Sequence, residues 1–175
     1  TEYRDYVNMC EMAGEYPFGL MPEDVYAAHA YMIMYGRQRY YDNMYGIDFK
    51  GRVHSADYLR LTTEMEKSEE EEETNTSDAP FMVLAPENPD DLYEESNQMR
   101  NCVRTYISSV AQGFTSVYFL RKREEPEHSF GTIEVRDKAV LQAKGFANSK
   151  LPAKAQKFVR EWAKEKGLTI NTRDL

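Results

Sequence analysis

Apolar positions recur at three- and four-residue spacing near the start of the chain. Tyr3, Tyr6, Val7 and Cys10 share one face, and Gly14 stands at the stop, which predicts an amphipathic helix over 2–13. A second helix is expected from Pro22, with Glu23 and Asp24 at its positive end and Val25, His29, Met32 and Ile33 on one stripe. Gly36 disfavours the helix there by about 1 kcal/mol relative to Ala, so a break is expected. A third helix is expected over 55–67, carrying Tyr58, Leu59 and Leu61.

The period changes after residue 80. Phe81-Met82-Val83-Leu84 is a short apolar run between Pro80 and Pro86, which predicts a buried strand. Asn88-Pro89-Asp90-Asp91 combines a cap residue, a first-turn proline and two carboxylates, a strong helix start. Leu92, Met99, Cys102, Val103, Tyr106 and Val110 then fall on one face, predicting one helix through 92–110 that ends at Gly113. Strands are expected at 115–121, 129–135 and 139–144. Phe158, Val159, Trp162 and Ala163 outline a last helix over 152–166.

In the last hairpin, burying Ile133 and Leu141 together predicts Ile133 opposite Leu141 and Thr132 opposite Gln142, through a three-residue loop or bulge. Thr132, Glu134 and Gln142 then share one polar face. The fold class expected is α+β: a small antiparallel sheet (a β-meander) packed by helices, with an added N-terminal helical region. The chain divides into a helical region at 1–67, an acidic flexible loop at 68–79 and an α+β core at 80–175.

Charge sharpens this division. Residues 1–99 hold 7 Lys+Arg against 22 Asp+Glu, and residues 100–175 hold 15 against 8, so an acidic half adjoins a basic half within a total of −8. Glu69 to Glu73 are five consecutive glutamates, expected to form a solvated loop. With 41% hydrophobic residues among 175, there is enough apolar surface for a packed core. No apolar window is long enough to span a bilayer, so no membrane association is expected. Cys10 and Cys102 form no CxxC, and His29, His54 and His128 are scattered. No disulfide framework, metal or cofactor is expected, and a cytoplasmic setting is the simplest expectation. A chain that opens on Thr1 reads as a piece of a longer protein.

The ordered series Asn101-Cys102-Val103-x-x-Tyr106, Gly113, Phe119-Leu120-Arg121, Thr132-x-Glu134-Val135, Gln142-x-x-Gly145-x-x-Asn148 and Phe158-x-x-x-Trp162 resembles the PcfJ-like family of conjugative plasmids, integrative elements and phages. The likeness is best over 81–165. It implies association with mobile-element DNA processing or transfer, and no established reaction. The family pattern often has His before the cysteine and Gly after the valine; this chain has Asn101 and Arg104 there. A His–Cys pair doing chemistry in relatives would lack its proton acceptor here.

Three functions remain open. The preferred one is a non-catalytic accessory module that associates with single-stranded DNA or RNA. Arg121, Lys122, Arg123, Lys144, Lys150, Lys154 and Lys157 would meet phosphates, and Phe146 would stack on a base. The second is an enzyme or small-ligand site on the polar sheet face, with Arg121 beside Glu134 and Gln142. Cys102, another candidate nucleophile, is assigned instead to the core by its helical stripe. The third is a protein-interaction module that uses the acidic N-terminal half.

Overall fold

The structure is a computed structural model and describes residues 1–63 and 80–175. The expected 68–79 loop, and the end of the expected 55–67 helix, lie outside the described residues.

Helix α1 (Glu2–Ala13) is capped by Thr1 and closed by Gly14 in the left-handed region. Helix α2 (Val25–Val53) starts later than Pro22, because the Asp24 carboxylate caps it through the Ala27 amide. It does not break at Gly36. A Cβ there would meet Met32 Cε of the same helix at 2.6 Å, with the Met9 carbonyl of α1 at an ordinary contact distance of 3.5 Å, so the glycine leaves room for the Met32 side chain in the core between the helices. Tyr6, Cys10 and Ala13 pack on Ala28 and Met32 to give the hairpin a small core of its own. The far end of α2 places Phe49 and Val53 in the main core. Helix α3 is a single turn, Ala56–Leu59, shorter than expected.

The sheet is β1 (Phe81–Leu84), β2 (Ser116–Lys122), β3 (Gly131–Arg136), β4 (Ala139–Lys144) and β5 (Thr169–Ile170) in sequential order. The first four strands pair antiparallel, and β5 joins β4 in parallel. The α+β class and the meander are as expected. The register of the β3–β4 hairpin differs. Asp137 and Lys138, both with positive φ, form a two-residue turn; Val135 pairs with Val140, and a bulge before it sets Glu134 opposite Gln142 and Thr132 opposite Lys144. The bulge absorbs one residue, so the tight turn and the buried face are both satisfied.

Helix α4 (Pro89–Met99) begins with the expected cap; Asn88 and Asp91 form a reciprocal capping box. It stops eleven residues short of the expected end. Arg100 takes the left-handed conformation at φ 49°, ψ 53°, and a 3-10 turn (Val103–Tyr106) and α5 (Ile107–Ala111) follow. Helix α6 (Ala153–Glu165) covers the opposite sheet face. There Phe81 meets Phe158 and Tyr118 meets Trp162 ring to ring, and the Trp162 indole donates to the Leu61 carbonyl at 2.7 Å. Gly131 lets Leu120 and Leu151 close over the strand: a Cβ there would lie 3.0–3.2 Å from them.

Candidate functional site

The face of the sheet under α4 carries polar groups where the α6 face is dry. Glu95, on the buried stripe of α4 with Leu92 and Met99, is 1% exposed. Arg121 donates to it through Nη2 at 2.5 Å and through Nη1 at 3.4 Å. The hydroxyls of Ser129 and Thr132 add bonds at 2.8 and 2.7 Å. The Arg121 guanidinium also lies 4.8 Å from the Phe119 ring centre. Arg121 is thus locked into a buried, hydrogen-bonded pair. This corrects two expectations: Arg121 is not beside Glu134, and it is not free to meet a phosphate.

Glu134, 6% exposed, is held separately. Its Oε2 accepts from Thr115 at 2.7 Å and Arg136 at 3.2 Å, and its Oε1 accepts from Gln142 Nε2 at 3.0 Å. The same Gln142 amide donates to Tyr106 Oη at 3.3 Å. The carboxylate therefore fixes which way the Gln142 amide faces, and its carbonyl oxygen takes no hydrogen bond among the described residues. Asn101 pins the turn after α4: its Nδ2 donates to Thr132 Oγ1 at 3.2 Å, and its Oδ1 accepts from the Val103 amide at 3.1 Å. The Arg104 amide donates to Ser96 Oγ at 2.7 Å.

These groups line a half-open cleft of about 270 Å³. Val117, Thr132, Glu134 and Gln142 form its floor, Asn101, Cys102, Val103 and Tyr106 its wall, and Lys144 and Asn148 its rim. Phe146 is 53% exposed, with the Arg100 guanidinium 5.5 Å from its ring centre. Arg100, Ala147 and Asn148, all near this cleft, have positive φ without being glycine. Left-handed backbone costs roughly 1–2 kcal/mol per ordinary residue and clusters where a surface is shaped for a task.

Cys102 corrects another expectation. It is exposed, because the helix that would have buried it ends at Met99 and Arg100 turns the chain outward. Thus Glu134, Gln142 and Cys102 come together at the cleft and Arg121 stands apart. Of the expected nucleic-acid contacts, Arg123, Phe146, Lys150, Lys154 and Lys157 are exposed. Lys122 is half-buried, with its ammonium 5.2 Å from the Phe130 ring centre. Lys144 lies 3.7 Å from the Asp174 carboxylate and bridges in β fashion to Lys150. Glu95 is not a candidate in the sequence, and Asn101 and Tyr106 enter it only through the family resemblance and the helix stripe. Glu95 had a signal, a carboxylate one turn from Leu92 and one from Met99 on the apolar stripe. The pairing of Asn101 with Thr132 had none, because the two lie 31 positions apart.

A family model described as PcfJ-like protein matches residues 2–159. The chain belongs to the PcfJ-like family. This PcfJ-like chain is also similar to an uncharacterized protein of Listeria innocua serovar 6a, 23% identical over 166 residues, which cover 92% of the chain and 33% of that relative. It spans about a third of the relative's length. No solved structure matches the chain. The PcfJ-like chain has Asn101 where the resemblance leads one to expect His, and here that residue holds the turn through its amide. Among the described residues no helix is long and apolar enough to cross a membrane, and no three His, Cys, Asp or Glu side chains gather as metal ligands.

Proposed function

We propose that this PcfJ-like chain is a non-catalytic accessory module of a mobile-element protein that holds single-stranded nucleic acid by taking one unstacked base into the cleft. The observation that carries the reading is the Gln142 amide, oriented by Glu134 inside an open cleft beside an exposed aromatic ring and a guanidinium. Amides bond to base edges, and unstacked bases lie on aromatic rings and arginine planes. Lys144 and Lys150, adjacent in the fold, supply positive charge for the flanking phosphates.

Fluorescence anisotropy of a labelled single strand, titrated at low salt first, tests this. The logarithm of the binding constant should fall with the logarithm of salt by about 0.7 per phosphate contacted. Replacing Lys150, Lys154 and Lys157 together should flatten that slope. Phe146→Ala should cost about 1–3 kcal/mol with the slope kept, since stacking releases no counterions. Absence of binding at low salt defeats the proposal.

The exposed thiol of Cys102 on the cleft wall favours one second reading, a small-molecule site at the same place. A small metabolite that slows alkylation of Cys102, in a protein that ignores nucleic acid, would select it.

A further inference from the structure

A second pocket, of about 310 Å³, lies at the opposite end of the sheet, around the β3–β4 turn. Four cationic side chains line it, each from a different element: Arg52 near the end of α2, Arg60 just after α3, Arg136 at the end of β3 and Lys138 in the turn. Two carboxylates, Asp57 and Asp137, share the lining. The lining thus holds two more cations than carboxylates, and Glu134 behind it pairs with one of them, Arg136.

The arginines are held by neutral groups. Arg52 Nη1 donates to the carbonyls of Val110 at 2.6 Å and Thr115 at 2.9 Å, and its Nη2 donates to Ser116 Oγ at 3.0 Å. Arg60 Nη1 donates to the Lys166 carbonyl at 3.1 Å. Among the described residues neither forms an ion pair, and neither does Lys138. Carbonyls fix the direction of a guanidinium without cancelling its charge. Arg136 is divided: one Nη reaches Glu134, and its side chain remains half-exposed.

We propose that this pocket binds a phosphate monoester. Anchored guanidiniums offer paired N–H donors to tetrahedral oxyanions. A monoester carries close to two negative charges at neutral pH and so gains more from the three cations without an ion pair, Arg52, Arg60 and Lys138, than a backbone diester, which carries one. Arg52 is the fixed base of the site, and Arg60, Arg136 and Lys138 close around the ligand. The site opens separately from the cleft and meets it only through Glu134, which touches Arg136 and Gln142, so the base-binding reading can fail without it. A nucleotide or the phosphorylated end of a strand could present the group.

Calorimetry on the full chain, with inorganic phosphate against chloride of equal ionic strength, tests the site directly. Saturable phosphate binding is expected, and Arg60→Gln and Lys138→Gln should each weaken it about tenfold, the effect of one lost charge-assisted bond. Phe146→Ala should leave it unchanged while weakening base binding, which separates the two sites. Adenosine monophosphate, a 5′-phosphorylated strand and the same strand with a 5′-hydroxyl then distinguish the sources. A strand end is the source if the phosphorylated strand exceeds its hydroxyl counterpart tenfold; a free nucleotide is the source if only the monophosphate binds. Phosphate binding no stronger than chloride overturns the proposal, as does equal binding by the wild type and both glutamine variants.

Discussion

The two faces of one sheet are built on different principles. Under α6, rings and aliphatic chains meet, and the polar atoms they bring, the Trp162 indole and the Tyr58 and Tyr118 phenols, each bond to backbone. Under α4, two buried carboxylates, a buried arginine and a network of amides and hydroxyls lie among apolar neighbours. Apolar packing stabilises without specifying orientation, whereas a satisfied polar network fixes orientation at a large desolvation cost. The candidate cleft lies on the face that accepts this cost.

The largest expected effects test whether each face depends on what distinguishes it. Trp162→Ala should cost about 3–5 kcal/mol by opening a cavity on the dry face. Glu95→Ala should cost a similar ~3–5 kcal/mol on the polar face, because it strands a buried guanidinium. The sharper comparison is the double replacement Glu95→Leu with Arg121→Met. If the pair serves orientation more than stability, urea unfolding should find this variant near the wild type. A double variant as unstable as Glu95→Ala would erase the distinction between the faces.

Alkaline titration gives a smaller effect, specific to the dry side. Burial pushes the Tyr58 phenol well above its ordinary value of 10.0, and its Oη both donates to the Val117 carbonyl and accepts from the Val117 amide. The folded-state value lies above the unfolded one. The contribution of the neutral phenol is therefore complete below about pH 10 and is lost as pH rises further. Stability followed from pH 9 to 11 should fall, and Tyr58→Phe should make the fall shallower. Tyr118, raised by burial, acts in the same direction.

The smallest effect belongs to the polar side. Cys102→Ala should change stability by no more than about 0.5 kcal/mol, as an exposed substitution does. The folded protein should react with a thiol reagent at Cys102, while buried Cys10 stays protected until unfolding. Protection of Cys102 in the folded state would return it to the core.

What the sequence disclosed and what it withheld follow from the reach of each interaction. The Asn88 cap, the strands and α6 rest on neighbours within a turn or a pleat, and they were legible. The end of α4 was not: the apolar spacing continues through Cys102, Val103 and Tyr106 although the backbone reverses at Arg100. The polar face of Thr132, Glu134 and Gln142 followed from alternation alone; a bulge was one of two expected ways to make the hairpin, but its position, which pairs Glu134 with Gln142, did not follow. The Arg121 pairing needed a partner 26 positions away. The basic pocket was hidden by its composition, since Arg52 and Arg60 lie in the half of the chain that is acidic on average.

The length of α2 has a consequence for the order in which the molecule is made. Its first turns close against α1 through residues that leave the ribosome together, so the Tyr6–Met32 core can form early. Its last turns carry Phe49 and Val53, whose neighbours α4 and α5, and the sheet beyond them, are not yet translated. Trp162 reaches Leu61 across 101 positions, a gap that takes roughly 5–20 s to synthesise. Through that interval one rigid rod has a finished end and a bare apolar end. A nascent chain arrested before Trp162 should therefore be a preferred client of chaperones that recognise exposed hydrophobic segments.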